Sequence, residues 1–349
     1  MSMPTSGAIC GGEHDKGSMF AFPVLLGDIG GTNARFGVLP APGEPIRHLP
    51  KALTASASDP VEAIRATLRH HEGAAPRSAI VAVACRVDSP CVHLTNAQWT
   101  IDAEAIGRAF GLERVVLVND YTPVAASAYA LDEQRGDLAR IGPPVPSRRG
   151  TRVVFGPGTG LGAGALVPVE DRFAIFATEA GHVEFGPADD EEMAIWPFIE
   201  RLEGRVSAEV VLSGPGLFRM AAALASRRGE ANPFSVPNDI LEGGRSGHPL
   251  AVAVLSRFSR CLGRYAGDLA LTFEATGGVF IAGGIAPKML DALRRGGFRE
   301  AFERKAPHDD WARQVSTFVI THPSPALLGL SAIVTQPHIF IFRAEEWIP

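Results

Sequence analysis

Two glycine-rich turns, each entered from a run of apolar residues, constrain the fold of this 349-residue chain most strongly. The first turn covers residues 27–33 (GDIGGTN) and the second covers residues 156–160 (GPGTG). Short apolar runs on both sides of each turn predict β-hairpins. Two such turns, each containing a threonine, can surround a polyphosphate with backbone N–H groups and hydroxyls. The pair therefore predicts a nucleotide-dependent phosphotransferase.

Composition narrows the range of partners. The chain carries 33 Lys and Arg against 38 Asp and Glu, a net charge of −5, and it has no dense basic tract. This balance argues against nucleic acid or an anionic membrane as the main partner, and it favours a small-molecule ligand. The 4 cysteines form no CxxC pair, so we expect free thiols and a soluble, cytoplasmic protein.

The order of elements predicts an α/β protein with two lobes. Strand-like runs at 79–84 and 115–118 alternate with helical patterns at 60–68 and 103–110. A turn-rich, charged stretch near 130–150 marks the boundary between the lobes. We expect residues 1–22 to form a disordered leader, because they contain no sustained apolar pattern.

Asp120 is the first candidate for chemistry. It follows the predicted strand 115–118 and Asn119, and Thr122 with Pro123 predicts the start of a helix directly after it. Open α/β sheets place their ligand groups at such strand-to-helix junctions.

The second turn also has alternative interpretations. Residues 158–163 match a dinucleotide fingerprint, with Glu179 about 20 residues further on. That fingerprint must open a helix, whereas strand-like runs follow this turn, so phosphate binding by a hairpin is favoured over a dinucleotide site or a purely structural hairpin. Neither turn contains the Gly-Lys-Ser/Thr of a Walker loop.

Polar residues in and near the turns have both functional and structural interpretations. The carboxylate of Asp28 can meet a hydrated Mg²⁺ held by nucleotide phosphates, or it can stabilise the turn. Thr32, Asn33 and Thr159 can bind phosphate or only shape their hairpins. Glu179 and His182 have the spacing of half a helical metal site, but Gly181 and the strand-like flanks favour hydrogen bonds to a polyol. A satisfied core histidine is the structural alternative for His182.

Seven sequence blocks in order resemble the bacterial ATP-dependent glucokinase family of the hexokinase, Hsp70 and actin ATPase superfamily. They are residues 26–35 (LGDIGGTNAR), 94–99 (LTNAQW), 118–121 (VNDY), 156–162 (GPGTGLG), 179–185 (EAGHVEF), 207–216 (SAEVVLSGPG) and 277–285 (GGVFIAGGI). The resemblance runs from about residue 24 to residue 330. It departs from the family at Arg86 and Ala180, where proline and glycine are usual, and near Ser89 and Pro90, where Gly-Asp is usual.

The resemblance implies a two-lobed actin-like ATPase fold (ribonuclease H-like, α/β) with an interlobe cleft, and a homodimer. The small lobe would span 23–130 with a C-terminal helix around 323–340, and the large lobe 131–322. The family implies phosphorylation of glucose at O6, with Asp120 as general base. It implies sugar contacts from Asn96, Asn119, Asp120, Glu179, His182 and Glu209. ATP and Mg²⁺ would be bound by Gly27, Asp28, Gly30, Gly31, Thr32, Asn33, Gly156, Gly158, Thr159, Gly160, Gly283 and Gly284, with Asp28 meeting the metal through water.

Other functions remain as alternatives at this point. One alternative is the phosphorylation of mannose, fructose or an N-acetylhexosamine by the same chemistry. The related repressors and sugar kinases with a Cys-rich zinc loop are disfavoured, because no such loop follows His182. A non-catalytic sensor of ATP and sugar is a further alternative, although the leader is too short and too poor in basic residues for a helix-turn-helix module.

Overall fold

The structure, a computed structural model, describes residues 9–10, 19–94, 97–146 and 148–349. The contacts within the chain divide it into two compact units. Unit 1 contains Met1–Leu131, Leu166–Ala177 and Pro323–Pro349, and unit 2 contains Asp132–Ala165 and Thr178–His322. Residues 166–177 thus belong to unit 1, whereas the sequence-based boundaries assign all of 131–322 to one lobe.

The strands and helices alternate along most of the chain. The strands are β1 (Ile9–Cys10), β2 (Val24–Ile29), β3 (Asn33–Leu39), β4 (Arg47–His48), β5 (Ala52–Leu53), β6 (Ser78–Val83), β7 (Cys91–His93), β8 (Thr100–Asp102), β9 (Arg114–Asn119), β10 (Leu138–Ile141), β11 (Arg152–Pro157), β12 (Leu161–Val169), β13 (Arg172–Thr178), β14 (Gly278–Ile281), β15 (Thr317–Ile320), β16 (Phe340–Arg343) and β17 (Glu345–Trp347). The α-helices are α1 (Pro60–Leu68), α2 (Ala103–Phe110), α3 (Tyr121–Ala130), α4 (Asp190–Ile195), α5 (Ala208–Val211), α6 (Gly214–Arg227), α7 (Pro237–Ser246), α8 (Pro249–Phe273), α9 (Leu290–Arg295), α10 (Phe298–Glu303), α11 (Asp309–Arg313) and α12 (Pro325–Thr335).

The main sheet of unit 1 has the strand order β17-β9-β6-β2-β3-β4, with β5 also paired to β3. β2 and β3 form an antiparallel hairpin, which confirms the prediction for the first turn. β2, β6 and β9 run parallel. Alternate residues of β2 enter different cores: Leu25 packs in the cluster that includes Ile64 and Ile106, and Leu26 packs in the cluster that includes Leu330. This alternation follows from the two-residue period of a strand.

Local sequence signals explain the helices of unit 1 that were predicted. The Asp59 side chain accepts a hydrogen bond from the backbone N–H of Glu62 at the start of α1, and Pro60 occupies the first helical position. The Asp102 side chain caps α2 in the same way, and α2 ends at Gly111 in the left-handed conformation. The sequence predicted helical patterns at 60–68 and 103–110, and the structure confirms both helices.

The end of the presumed leader is ordered in the structure. Phe20 is 2% exposed and packs in the core of unit 1, and the Arg114 guanidinium donates a hydrogen bond to the Met19 carbonyl oxygen. Strand β1 also pairs antiparallel with β16. The expectation of a disordered leader through residue 22 is therefore wrong for residues 19–22. Phenylalanine burial of this kind stabilises the fold, and a single aromatic residue gives no periodic signal in the sequence.

Unit 2 contains a sheet in which β11, β14 and β15 run parallel, and β10 pairs antiparallel with β15. The beginning of β12 lies beside β11 and completes the second predicted hairpin. The long helix α8, Pro249–Phe273, packs against α6, α7 and α10. Strand β10 lies inside the turn-rich stretch near 130–150 that was predicted to mark the boundary between the lobes. No helix within the described part of the chain is long and apolar enough to cross a membrane.

Candidate active site

The first glycine-rich turn is held in shape by Thr54. The Gly30 backbone N–H donates to the Asn33 carbonyl oxygen over 2.9 Å, which closes the turn between β2 and β3. The buried Thr54 hydroxyl donates to the Gly30 carbonyl oxygen over 2.9 Å, and the Thr54 N–H donates to the Thr32 carbonyl oxygen over 3.0 Å. These bonds satisfy carbonyl groups of the turn and fix its backbone. Thr54 lies outside both glycine-rich turns in the sequence and carries no motif, so no sequence signal predicted its role.

Asp28 lies at the end of β2, directly opposite Arg35 on β3. Its carboxylate is 3.3 Å from the Arg35 guanidinium, and its side chain is 19% exposed. Burial raises the pKa of Asp28, although Arg35 acts in the opposite direction. The carboxylate is therefore only partly compensated by its ion pair, and a second cation at this position would stabilise its ionised form.

Asn119 and Asp120 lie where β9 leads into α3. The Asn119 side-chain amide donates to the Cys85 carbonyl oxygen over 3.0 Å, and its oxygen accepts from the Tyr121 N–H over 2.9 Å. The Asp120 N–H donates to the Val83 carbonyl oxygen over 3.0 Å. Helix α3 begins at Tyr121, so Asp120 and not Thr122 is its N-cap residue, and the Asp120 carboxylate makes no capping hydrogen bond. The backbone at this junction is thus fixed from both sides.

The thiol of Cys85 is close enough to Asp120 to be affected by its charge. Burial, followed by the negative charges of Asp120 and Asp88, raises the pKa of Cys85 to about 11. The thiol is consequently protonated at neutral pH. No sequence motif predicted this proximity, because it results from the parallel pairing of β6 with β9.

The second glycine-rich turn is held by Glu209. The Gly158 N–H donates to the Gly160 carbonyl oxygen over 2.8 Å, and the Gly214 N–H donates to the Gly158 carbonyl oxygen over 2.8 Å. One Glu209 carboxylate oxygen accepts from the Leu161 N–H over 2.8 Å. The family resemblance implied only a sugar contact for Glu209. The structure also gives it a contact with the backbone that follows the turn.

Gly283 lies against the same turn. Its φ is +80°, and a Cβ at this position would be 2.4 Å from the Pro157 carbonyl oxygen, so only glycine fits without distortion. The Ala282 N–H donates to the Phe155 carbonyl oxygen over 2.7 Å. The segment after β14, with Gly283 and Gly284, is thereby placed beside Gly156 within unit 2.

Glu179 and His182 are both accessible and adjacent. The Ala180–His182 segment forms a short 3₁₀ turn, and the His182 ring nitrogen Nε2 is 3.7 Å from a Glu179 carboxylate oxygen. Their side chains are 73% and 58% exposed, respectively. A Cβ at Gly181 would be 1.9 Å from the Leu161 carbonyl oxygen, so this turn packs tightly on the start of β12. The exposure excludes the satisfied core histidine that was considered as an alternative.

Each unit therefore contains part of the predicted residue set. Unit 1 contains residues 27–33, Asn119 and Asp120, and unit 2 contains residues 156–160, 283–284, Glu179, His182 and Glu209. Asn96 lies outside the described residues. Within the described ranges, no three His, Cys, Asp or Glu side chains cluster so as to hold a metal ion.

Comparisons with known proteins identify the family of this chain. A family model described as Glucokinase matches residues 25–337. A glucokinase of Mesorhizobium japonicum is 42% identical over 329 residues, covering 93% of this chain and 95% of the relative. A glucokinase of Sinorhizobium fredii is 41% identical over 322 residues, covering 92% and 94%, respectively.

Solved structures extend the comparison to the fold. The crystal structure of a glucokinase from an Antarctic psychrotroph matches with a TM-score of 0.79 and 30% identity, covering 90% of this chain and 99% of that one. A ROK family glucokinase from Streptomyces griseus, in complex with glucose and AMPPNP, matches with a TM-score of 0.61 and 23% identity, covering 90% and 99%. These matches confirm the predicted α/β fold of the actin-like ATPase type. The chain belongs to the glucokinase family.

Proposed function

We propose that this enzyme transfers the γ-phosphoryl group of ATP to O6 of glucose, giving glucose 6-phosphate and ADP, with Asp120 as the general base. The family membership supports the reaction. The placement of Asp120 at the end of β9, next to the immobilised Asn119 amide, carries the assignment of the base.

Asp120 has the chemistry that a phosphoryl acceptor site needs. A sugar hydroxyl is a weak nucleophile, and a carboxylate that accepts its proton during transfer raises its reactivity. Asn119 keeps hydrogen-bonding capacity beyond its two backbone contacts, because an amide has two N–H donors and an oxygen with two lone pairs. We assign to Asn119 the orientation of the sugar hydroxyl beside Asp120.

The two glycine-rich turns are assigned to the phosphates of ATP. Backbone N–H groups of such turns bind phosphate oxygens, and the bonds from Thr54 and Glu209 keep the turns preorganised. Asp28 fits a role beside Mg²⁺, since its carboxylate has a raised pKa and only one guanidinium near it. The metal would neutralise charge on the transferred phosphoryl group.

The sugar hydroxyls distant from O6 are assigned to Glu179, His182 and Glu209. Their carboxylate and imidazole groups can accept or donate hydrogen bonds to vicinal hydroxyls, and Glu179 and His182 are exposed enough to do so. We further propose a cytoplasmic homodimer, on the basis of family resemblance alone.

A panel of sugars tests the substrate. We expect ADP release to require glucose and the product to carry phosphate at C6, as read by ³¹P and ¹H NMR. Mannose, fructose and N-acetylhexosamine kinases are less favoured, because relatives at about 40% identity are named glucokinases. Faster turnover with another hexose would overturn the glucose assignment, and ADP release independent of sugar would support a non-kinase sensor.

A further inference from the structure

We infer that Arg264 is a positioning residue for the sugar site: it holds the segment 183–186, on which the placement of Glu179, His182 and Glu209 depends. The inference rests on the proposed sugar-binding role of those three residues. All the contacts that carry it lie within unit 2.

The segment 183–186 joins the two groups of sugar-ligand candidates. The Phe185 N–H donates to the Val206 carbonyl oxygen over 2.9 Å, and the Ala208 N–H donates to the Val183 carbonyl oxygen over 2.9 Å. Residue 208 begins α5, which carries Glu209 in its first turn. On its other side the segment continues directly from the Ala180–His182 turn. A shift of 183–186 would therefore move both groups of ligands together.

Arg264 contacts this segment in two ways. Its guanidinium carbon lies 4.0 Å from the centre of the Phe185 ring, a cation–π distance, and Nη2 donates to the Gly186 carbonyl oxygen over 2.8 Å. Phe185 is buried, and its ring also contacts Tyr265. The side chain thus fixes one aromatic ring and the next carbonyl group at the same time.

Glu192 fixes the guanidinium in turn. It is 2% exposed, and its carboxylate is 2.9 Å from Nη2 of Arg264 while accepting from the Ala188 N–H over 2.8 Å. Cys261, one turn before Arg264 on α8, donates its S–H to the other Glu192 oxygen over 3.3 Å. A planar guanidinium can stack on a ring and donate to two acceptors simultaneously, whereas an ammonium presents a point charge without a flat face. The geometry is therefore specific for arginine.

Arg264→Lys is the test, and Arg260→Lys is its matched control. Arg260 lies one helical turn earlier on α8 and pairs with Glu300 over 3.0 Å. We expect Arg264→Lys to raise the KM for glucose about tenfold, the effect of losing one charge-assisted hydrogen bond, with kcat nearly unchanged and a smaller rise in the KM for ATP, because Glu209 also contacts the backbone after the second glycine-rich turn. Arg260→Lys should leave all three constants unchanged. Assays run well below the Tm of each variant separate this effect from a loss of stability.

Two further variants complete the design. Phe185→Leu should raise the KM for glucose, and the double variant with Arg264→Lys should raise it by less than the product of the single effects, because both act on one contact. Glu179→Gln tests the sugar site itself. If Glu179→Gln raises the KM for glucose while Arg264→Lys behaves like Arg260→Lys, the positioning role is wrong and the site stands. If Glu179→Gln leaves this KM unchanged, the proposed sugar site and the positioning role both fail.

Discussion

Replacing Asp120 by Asn tests the proposed base and its surroundings in one variant. The asparagine keeps the size of the side chain but removes the proton acceptor, so we expect kcat to fall about 10²–10⁴-fold, the usual contribution of a positioned general base. The KM for glucose should change little, because an amide still hydrogen bonds to a hydroxyl.

Cys85 provides an independent measure of the same substitution. The pKa of Cys85 is raised from 9.0 to about 11, first by burial and then by Asp120 and Asp88. Because burial exceeds the effect of Asp120, the Asp120 carboxylate accounts for less than half of this rise. We therefore expect Asp120→Asn to lower the Cys85 pKa by less than about one pH unit, so that the thiolate fraction at pH 9 increases by less than about tenfold.

The assay is the pH dependence of iodoacetamide alkylation at Cys85, followed by peptide mass spectrometry so that the exposed Cys91 is counted separately. Asp88→Asn is the control, because Asp88 also raises the Cys85 pKa but is a largely exposed residue paired with Arg86. Asp88→Asn should speed alkylation and keep kcat. Near-normal kcat in Asp120→Asn would refute the base, and an unchanged Cys85 pKa in that variant would refute the described geometry.

Three other substitutions probe the turns and the C-terminal strand. Asp28→Asn should lower kcat yet raise the Tm at pH 7, because burial raises the Asp28 pKa and the ionised carboxylate therefore costs folding free energy at that pH; the gain should vanish when calorimetry is repeated below pH 3.8, where the carboxyl is protonated in both states. Gly283→Ala should cost about 2 kcal/mol in urea unfolding and raise the KM for ATP, because its Cβ would meet the Pro157 carbonyl oxygen; an unchanged KM would separate this residue from ATP binding. Trp347→Ala should cost about 1–3 kcal/mol in the same unfolding assay, since the half-buried ring packs against Gly107 on α2; a cost below about 0.5 kcal/mol would contradict that packing.

Local signals in the sequence predicted the elements whose causes are local. The hairpin of β2 and β3 follows from glycines between apolar runs, and α1 and α2 follow from helical patterns in the sequence. Gly181 and the strand-like flanks argued against an α-helix at Glu179 and His182, and the segment forms only a short 3₁₀ turn.

Long-range pairing could not be predicted in the same way. Strand β10 pairs with β15, which lies far along the chain. The stretch near 130–150 that contains β10 is turn-rich and charged, and it therefore predicted only a boundary between the lobes. The contact of Glu209 with the Leu161 N–H and the effect of Asp120 on Cys85 depend on distant segments that meet only after folding. The resemblance supplied the candidate residues, but the bonds that hold them are visible only in the structure.

Strand β17 has a consequence for handling the protein. The glucokinase family match ends at residue 337, before β16 and β17, yet β17 pairs antiparallel with β9 and Arg114 lies 3.5 Å from Glu346. Without β17, β9 would become an edge strand whose backbone N–H and C=O groups are unpaired. Such an edge can pair with strands of other chains and cause aggregation. Expression truncated to the family boundary should therefore yield aggregates.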